Sequence, residues 1–323
     1  MSENILITGG AGFIGSNLVH RWHRKHPDDR IVVLDKLTYA ADPKQIEGLD
    51  RVELVVGDIQ NLELARHLIE KNYISRVFHL AAESHVDRSI TGPSEFIQTN
   101  VVGTFSMLEA ARQAWAGQQD CRFLHISTDE VYGSLGEKGK FHEEMAYAPN
   151  SPYSASKASS DHLVRAYHHT YGLNVVTTNC SNNYGPRQHP EKLIPLAITR
   201  MAKGEPIPIY GDGLNVRDWL YVEDHCAALE TVMLKGISGE TYCVGGDNEQ
   251  TNLALVDLLC DLVDQQLGRD EGTSIKLKTF VQDRAGHDLR YAIDATKVRT
   301  QFGWEPQGGF KDRLMETVSW YLR

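Results

Sequence analysis

Tyr153 and Lys157 have the types and the spacing that proton-transfer chemistry needs. They stand four residues apart in the string PYSASK at 152–157, a spacing that places both on one face of a helix. An ammonium near a phenol stabilises the phenolate, so Lys157 is expected to lower the pKa of Tyr153 and make it a general base. The same spacing is common on ordinary helices, so the pair by itself leaves a purely structural interpretation open.

A second group, Thr128, Asp129 and Glu130, follows the apolar run FLHI at 123–126. If that run is a strand, these residues lie beyond its carboxyl end, where open parallel sheets bind ligands. Thr128 can then hydrogen-bond a hydroxyl group, while the two carboxyl groups serve as an acid and a base if their surroundings separate their pKa values. Adjacent strand residues face opposite ways, so both carboxyls reach one ligand only if the backbone turns here. A surface acidic turn is the alternative.

The elements that must position these residues follow a regular alternation. A helix is predicted at residues 13–25, and strands are predicted at residues 4–8, 30–34, 52–56, 76–80, 122–126 and 174–178. Such alternation predicts an α/β fold with a Rossmann-type, doubly wound parallel sheet.

The pattern changes after about residue 181, where Pro, Gly and polar residues become frequent and a helix is predicted at 252–267. We therefore expect a cofactor-binding domain at 1–181 and a smaller C-terminal α/β substrate domain at 182–323. Segments 218–222 and 240–244 are strand-like, so the chain is expected to return to the sheet at about 218–244 and the domains to be discontinuous.

A glycine-rich turn follows the first predicted strand. Gly9, Gly12 and Gly15 precede or open the first helix, where backbone N–H groups and the helix N-terminus can bind a pyrophosphate. Asp35 ends the second strand twenty positions after Gly15, where a carboxylate binds ribose hydroxyls. An acidic residue there repels a 2′-phosphate and favours NAD over NADP. Asp58 is a candidate partner for the adenine amino group, although either aspartate could instead cap a helix.

Bulk properties exclude several classes of function. The net charge of −10 argues against broad affinity for nucleic acid. The five cysteines are scattered without metal or redox spacing, which favours a reducing, cytoplasmic setting, and no metal site is expected. Residues 1–10 do not resemble an export signal, and no apolar run is long enough to span a bilayer.

Nine strings across nearly the whole chain resemble the extended short-chain dehydrogenase/reductases, and more closely the dTDP-glucose 4,6-dehydratases. They are TGGAGFIGS at 8–16, DKLTYA at 35–40, LAAESHVDRSITGP at 80–93, STDEVYG at 127–133, PYSASKASSDHLVRA at 152–166, NCSNNYGP at 179–186, PEKLIP at 190–195, RDWLYVEDH at 217–225 and HDLRYAID at 287–294.

The resemblance implies a three-stage reaction on a nucleotide-sugar. Tyr153 accepts the C4 hydroxyl proton while hydride passes to NAD. Glu130 then removes the C5 proton as Asp129 protonates the departing C6 hydroxyl, and the hydride returns to C6. Positioned acid–base groups and an enclosed cofactor would replace any need for a metal.

The resemblance also implies the ligand contacts. Besides the glycines, Tyr153 and Lys157, the cofactor contacts are expected to be Phe13, Ile14, Asp35, Lys36, Leu37, Thr38, Asp58, Ile59, Leu80, Ala81, Ala82, Ser84, Thr99 and Asn183. The substrate contacts are expected to be Ser84, Thr128, Asn182, Lys192, Leu193, Pro208, Ile209, Tyr210, Arg217, Asn252, Asp283, Arg284, Ala285, Gly286 and His287. Arg217, Arg284 and Lys192 suit a pyrophosphate, because guanidinium groups bind phosphate with two parallel hydrogen bonds. Without the resemblance, a solvated surface charge is the simpler interpretation of each.

Two departures from the family pattern affect ligand positioning rather than chemistry. Ala285 stands where many relatives have proline, and the loop at 133–147 is shorter than in some members. Selectivity for dTDP over UDP is therefore less firmly indicated than the reaction type.

An apolar stripe is predicted on a helix at 94–115, through Ile97, Val101, Thr104, Leu108, Ala111 and Trp115, with Val102 and Phe105 beside it. The stripe either packs on the sheet or, as the resemblance suggests, pairs this helix and the one after Tyr153 with their copies in a homodimer.

Two other functions remain open. A UDP-hexose 4-epimerase or a UDP-glucuronate decarboxylase of the same family shares the NAD fold and the Tyr/Lys pair, but an epimerase does not need the Asp129–Glu130 pair. A redox sensor without catalysis predicts a disrupted Tyr/Lys pair, contrary to Tyr153 and Lys157.

Overall fold

A computed structural model describes residues 3–118, 120–283 and 286–323. In chain order its strands and helices are β1 (Asn4–Thr8), α1 (Phe13–Lys25), β2 (Arg30–Asp35), β3 (Val52–Val56), α2 (Leu62–Lys71), β4 (Arg76–His79), α3 (Val86–Thr91), α4 (Pro93–Phe96), α5 (Thr104–Ala114), β5 (Arg122–Thr128), α6 (Pro152–Tyr171), β6 (Val175–Cys180), β7 (Asn182–Tyr184), α7 (Leu193–Lys203), β8 (Ile207–Tyr210), β9 (Val216–Tyr221), α8 (Val222–Lys235), β10 (Thr241–Val244), β11 (Glu249–Thr251), α9 (Asn252–Leu267), β12 (Lys278–Val281), α10 (Thr296–Phe302) and α11 (Phe310–Tyr321).

The predicted parallel sheet is confirmed. Within the described residues it has seven strands in the order β10-β6-β5-β4-β1-β2-β3, all paired in parallel. The chain runs outward from β1 to β3, then crosses to β4 on the other side of β1, which makes the β1–β4 gap the topological switch point. Ligands bind at such a point, beyond the carboxyl ends of the strands.

Helices cover both faces of this sheet, which explains why its strands are apolar on both sides. One face packs against α1 and α8 around Trp22, Leu229 and Val232. The other face packs against α2, α5 and α6 around Leu68 and Leu108. The boundaries predicted for the first helix and for the helix at 252–267 agree with α1 and α9.

The smaller second half has a core of its own, formed by α7, α9 and α11 around Ile198, Leu259 and Leu314. Segment 240–244 corresponds to β10, which pairs with β6 in the large sheet. Segment 218–222 does not join that sheet. It lies in β9, between β11 and β7 in a three-stranded sheet, and its last residue begins α8. Two segments of the second half, α8 and β10, therefore pack with the first half.

The single helix predicted at 94–115 is wrong in detail. Two helices, α4 and α5, are joined by a π-helical segment, Ile97–Gly103, and the wider turn breaks the 3.6-residue period on which the predicted stripe depended. Asn100 explains the distortion, because its buried side chain bonds the backbone N–H and C=O of Glu83 and the hydroxyl of Ser156.

The distortion divides the predicted stripe. Leu108, Ala111 and Trp115 are buried. Ile97, Val102 and Phe105 are exposed, with Phe105 43% accessible. Packing on the sheet therefore applies to the buried part of the stripe, and pairing of the exposed part with a second copy stays a prediction. Among the described residues no helix is long and apolar enough to cross a membrane.

Candidate active site

The glycine turn between β1 and α1 brings the backbone close to any ligand at this end of the sheet. A Cβ on Gly15 would lie 2.1 Å from the carbonyl oxygen of Gly9, and Gly9 has a φ of +71°, which favours glycine. Gly12 precedes the helix without a side-chain cap. The first N–H groups of α1 are therefore available to an anion, as the sequence predicts.

Asp35 and Asp58 end the strands beside this turn. Asp35 accepts hydrogen bonds from Ala11 N at 3.0 Å and Leu37 N at 2.9 Å, so it fixes the glycine turn while each carboxylate oxygen keeps a lone pair for a ligand. Burial raises the pKa of Asp35. Asp58 contacts Lys36 at 2.9 Å. Partial burial opposes ionisation of Asp58, but hydrogen bonds from Gln60 and Lys36 hold its pKa below the usual value.

A cleft of about 330 Å³ opens at the switch point and joins the predicted cofactor and catalytic groups. Its lining includes the whole predicted catalytic set, Thr128, Asp129, Glu130, Tyr153 and Lys157. The predicted cofactor contacts that line it are Gly9, Gly12, Phe13, Ile14, Gly15, Asp35, Lys36, Thr38, Asp58, Ile59, Leu80, Ala81, Ala82, Ser84, Thr99 and Asn183. Leu37 is not among the described lining residues, and its contribution is the backbone N–H given to Asp35.

The chain turns after Thr128, as joint access of the two carboxyl groups requires. Strand β5 ends at Thr128, and Asp129–Tyr132 form a 3-10 turn. The Thr128 hydroxyl accepts a hydrogen bond from Glu130 N at 3.3 Å and thereby caps the turn. Asp129 and Glu130 consequently line the same cleft instead of facing opposite sides of the sheet.

Asp129 is placed to act as an acid. Its side chain is buried, and burial, followed by the charges of Glu130 and Asp218, raises its pKa well above the ordinary value. A protonated carboxyl group can donate a hydrogen bond or a proton at neutral pH. Its Oδ2 atom is buried and has no hydrogen-bond partner among the described residues, so a polar ligand group would find an unused partner there.

Tyr153 and Lys157 lie on the inner face of α6, whose rotation is fixed by a capping box at Ser151 and Ser154 and by Pro152 in the first turn. The expected lowering of the Tyr153 pKa is wrong for this structure. Burial and the charge of Glu130 raise it well above the ordinary value, against a hydrogen bond with Thr128. The ammonium of Lys157 donates a hydrogen bond instead to the Ile126 carbonyl oxygen, 2.8 Å away.

The predicted substrate residues are only partly brought together. Ser84, Thr128, Asn182 and Lys192 line the cleft, and Lys192 Nζ donates to the Ser84 carbonyl oxygen at 3.1 Å. Leu193, Pro208, Ile209, Tyr210, Arg217, Asn252, Asp283, Gly286 and His287 are not in the described lining. Arg284 and Ala285 lie outside the described residues.

Several of these outlying residues have structural roles. The Ile209 side chain is buried in the core of the second half. Arg217 is buried, against the interpretation as a solvated charge, with its guanidinium 4.2 Å from the ring centre of Tyr291 and a hydrogen bond to the Asp288 carbonyl oxygen. It still lowers the pKa of Asp129, so it acts electrostatically on the catalytic turn.

The cleft also contains residues that the sequence interpretation missed. Glu191 accepts a hydrogen bond from the Tyr39 hydroxyl at 3.1 Å, and the Arg88 guanidinium lies 3.5 Å from the centre of the Tyr39 ring. This contact joins the two halves across the cleft. Further lining residues are Leu34, Ala40, Ala41, Gly57, Glu83, Ile126, Ser127, Cys180, Ser181, Gln188 and His189. Cys180 ends β6 and Ser181 follows it, and their position at a strand terminus was the signal that could have identified them.

Known proteins resemble this chain over nearly its full length. A profile of the family described as GDP-mannose 4,6 dehydratase matches residues 6–317. A dTDP-glucose 4,6-dehydratase of Xanthomonas campestris pv. campestris (strain B100) is 54% identical over 327 residues, which cover 98% of this chain and 92% of that protein.

Solved structures agree in fold. The dTDP-glucose 4,6-dehydratase of Streptomyces venezuelae with NAD bound has a TM-score of 0.91 and 46% identity, over 99% of this chain and 97% of that one. The UDP-glucose 4-epimerase of Thermus thermophilus in complex with NAD has a TM-score of 0.88 and 27% identity, over 99% of both chains. This chain therefore belongs to the sugar-nucleotide 4,6-dehydratases of the extended short-chain dehydrogenase/reductase family.

Proposed function

We propose that this protein is an NAD-dependent hydro-lyase that converts dTDP-glucose to dTDP-4-keto-6-deoxyglucose and water. The observation that carries the proposal is the 3-10 turn at Asp129–Tyr132, which presents Asp129 and Glu130 to the cleft that Tyr153 and Lys157 also line. A site that only oxidises and reduces its substrate needs only Tyr153 and Lys157. The two additional carboxyl groups supply the acid and the base that loss of water requires.

The residues of the cleft fit NAD. A Cβ on Gly15 would collide with the backbone of Gly9, so glycine lets the turn pack closely while the first N–H groups of α1 stay open to a pyrophosphate. Asp35 offers carboxylate lone pairs at the position suited to ribose hydroxyls. NAD would be held by these groups, by Asp58 and by Lys157. When bound, it supplies a hydride acceptor for the first stage of the reaction and a hydride donor for the last.

The residues of the chain supply the proton transfers. Tyr153 accepts the proton of the C4 hydroxyl during oxidation, which yields a ketone that acidifies the C5 proton. Glu130 then removes that proton while Asp129 protonates the C6 hydroxyl, so that the C6–O bond breaks and water leaves. C5 regains a proton when C6 is reduced, and the product differs from the substrate by one water.

The buried Asp129 supports this assignment of acid and base. Because burial raises its pKa well above the ordinary value, the protonated form of Asp129 is favoured, and that form can give its proton to the leaving hydroxyl. The ordinary pKa of a phenol disfavours Tyr153 as a base at neutral pH, and its burial increases that barrier. We therefore assign loss of the Tyr153 proton to solvent to the complex with NAD, whose positive charge would favour the phenolate when it is bound.

The assignment of one ligand to each half of the chain is part of the proposal. Residues 1–181, with the returning strand β10, hold NAD, and residues 182–323 bind the nucleotide-sugar. Asn182 and Lys192 already line the cleft from the second half, and the buried Arg217 is proposed to assist binding of the substrate pyrophosphate.

The proposal is tested by incubating the protein separately with dTDP-glucose and UDP-glucose and measuring loss of one water by mass spectrometry. We expect water loss from dTDP-glucose. Glu130→Gln should lower kcat by about 10³-fold and prevent C5 proton exchange while NAD stays bound. Glu144→Gln, in the loop that follows the catalytic turn, is the matched control. Full dehydration by Glu130→Gln would contradict the assignment, and interconversion to the galactose form without water loss would identify an epimerase.

A homodimer is the second part of the proposal. Ile97, Val102 and Phe105 expose apolar side chains on neighbouring turns, and Phe105 is 43% accessible, which is unusual for phenylalanine on a monomer surface. We propose that this patch and α6 pair with their copies. Light scattering after gel filtration should give the dimer mass for the wild type and the monomer mass for Phe105→Asp. A Phe105→Asp variant that remains dimeric would contradict this interface.

We also propose a cytoplasmic location. The five cysteines are free, buried thiols, a state that a reducing compartment preserves. Cell fractionation of a tagged protein should recover the enzyme with cytoplasmic markers, and recovery in an oxidising compartment would contradict this part of the proposal.

A further inference from the structure

Asp161 is a buried carboxylate behind the catalytic turn. It lies on α6 one turn after Lys157, and its side chain is 3% accessible. Four side chains from β5, β6 and the loop before α6 bond to it: His125 Nε2 at 3.1 Å, Ser127 Oγ at 2.9 Å, Tyr147 Oη at 3.0 Å and Asn179 Nδ2 at 3.2 Å. Four donors satisfy the hydrogen-bonding capacity of this buried carboxylate, so the fold stabilises its ionised form.

These bonds fix the backbone that presents Thr128 and Asp129. Ser127 directly precedes Thr128 on β5. Asn179 Nδ2 donates to the Thr128 carbonyl oxygen at 3.1 Å as well as to Asp161, and Asn179 Oδ1 accepts from the Tyr132 hydroxyl at 3.4 Å. Asp161 therefore connects β5 and β6 at both ends of the 3-10 turn.

Tyr147 extends the same connection to the loop that follows the turn. Its hydroxyl bonds to Asp161 Oδ2, and its ring packs against the ring of Tyr132, with centres 5.1 Å apart. Displacement of Asp161 would release strand, turn and loop together.

Asp161 also faces the ammonium of Lys157. The other titratable groups that influence this ammonium from packed elements are His79 on β4, His125 on β5 and Cys180 on β6. Burial lowers the pKa of His79 well below the ordinary value and that of His125 to about 4, and burial raises the pKa of the Cys180 thiol to about 12. All three are neutral near pH 7.

The charge balance at Lys157 therefore depends on Asp161. Burial lowers the pKa of Lys157, and Asp161 is the first group that opposes this change. Although burial works against ionisation of Asp161, the hydrogen bond from His125 and the charge of Lys157 hold its pKa below the ordinary value. Since an ionised Asp161 only accepts, the proton of the neutral His125 ring resides on Nε2.

We propose that Asp161 is a positioning residue of the reaction, which acts as the counter-ion of Lys157 and as the hydrogen-bond anchor of the Ser127–Glu130 segment. This inference rests on the proposed dehydratase function. Asp161 touches neither substrate nor cofactor in this role. It keeps the ammonium of Lys157 protonated and holds the acid and the base of the elimination at a fixed distance from the sugar.

The test compares Asp161→Asn and Asp161→Glu in the full-length enzyme. In Asp161→Asn the counter-charge is lost, so Lys157 loses its proton at lower pH. The alkaline limb of the kcat–pH profile should move down by about one pH unit or more. Disturbance of the turn should also lower kcat by roughly 10- to 100-fold, with KM for dTDP-glucose changed by less than about threefold. Asp161→Glu keeps the charge but not the geometry, so its alkaline limb should stay in place while kcat falls.

Asp264→Asn is the matched control, because Asp264 is a buried carboxylate on α9 that bonds Ser274 N at 3.0 Å and Ser274 Oγ at 2.6 Å, far along the chain from the turn. It should lower the melting temperature without moving the pH profile. An unchanged alkaline limb in Asp161→Asn would overturn the counter-ion role, and an unchanged kcat would overturn the anchor role.

Asp161→Glu decides the question if Asp161→Asn does not fold, because wild-type kcat or a shifted alkaline limb in this variant contradicts the proposal. The wild type is assayed first. Its failure to release water would overturn the proposed function, whereas an active wild type with unaffected variants would overturn only the role of Asp161.

Discussion

The two halves of this molecule differ in how closely their predicted ligand residues gather. In the first half, nearly every predicted cofactor contact lines the cleft, with Leu37 as the exception among the described residues. In the second half, Asn182 and Lys192 line it, whereas Arg217, Asn252 and the residues around β8 lie elsewhere. Predicted positions in the first half are strand ends and a glycine turn, but those in the second half are dispersed over loops and β-strands.

This difference follows from the range of the interactions involved. A strand end in a parallel sheet has its place fixed by the sheet, so a motif at residue 9 or 35 determines its own location. Substrate residues of the second half are placed by contacts between distant segments, such as Arg217 with Tyr291. Local sequence therefore specifies the cofactor region more completely than the substrate region.

The largest effect on ligand binding should come from breaking the most locally determined feature. Gly15→Ala places a Cβ 2.1 Å from the Gly9 carbonyl oxygen, and relief of such overlap costs about 2–3 kcal/mol. We expect NAD affinity, measured by calorimetric titration, to fall on the order of 100-fold. Gly136→Ala is the control, because nothing lies within 4 Å of its added Cβ. A Gly15→Ala variant with wild-type affinity for NAD would show that the glycine turn is not the phosphate site.

A smaller effect is expected from the second half. Arg217→Lys keeps the positive charge that acts on Asp129 but removes the fork of donors that suits a pyrophosphate. Steady-state kinetics should show KM for dTDP-glucose raised about tenfold, with kcat within about threefold of the wild type. Arg165→Lys, at an exposed position of α6, should change neither. An unaltered KM in Arg217→Lys would remove Arg217 from the substrate site and sharpen the contrast between the halves.

The smallest expected effect is on the pH dependence of folding stability, through Asp129 at the junction of the halves. Burial raises the folded-state pKa of Asp129 above its ordinary value of 3.8. In the pH window between these two values the unfolded chain loses a proton that the folded protein retains, so wild-type stability falls as pH rises.

Asp129→Asn removes this linkage along with activity. Its melting temperature should exceed that of the wild type by about 2–5 °C at pH 7, with the difference vanishing near pH 3.8. Differential scanning calorimetry across this range checks the sign, with Asp261→Asn on the exposed face of α9 as control. A difference in melting temperature that grows toward acid pH would contradict the raised pKa of Asp129.

Particular residues mark the limits of prediction from sequence. The strand–turn–helix unit at residues 4–25 could be predicted because its apolar period and its glycines are local. A turn at Asp129 is the condition for both carboxyl groups to reach one ligand, which the sequence leaves open and the structure meets. The π-helical segment could not be foreseen, since it depends on Asn100 meeting Glu83 and Ser156. The prediction of a lowered pKa for Tyr153 is wrong for the same reason, because burial is a property of the assembled fold.

The most direct test of the account is the product formed from dTDP-glucose in D₂O. The wild type should yield a product that has lost one water and carries one deuterium at C5, because Glu130 exchanges its proton with solvent between the two C5 transfers. Glu130→Gln, with NAD bound, should yield neither change. Water loss without deuterium at C5, or dehydration that survives Glu130→Gln, would contradict the assignment of Asp129 and Glu130 as the groups that set this reaction apart from simple oxidation.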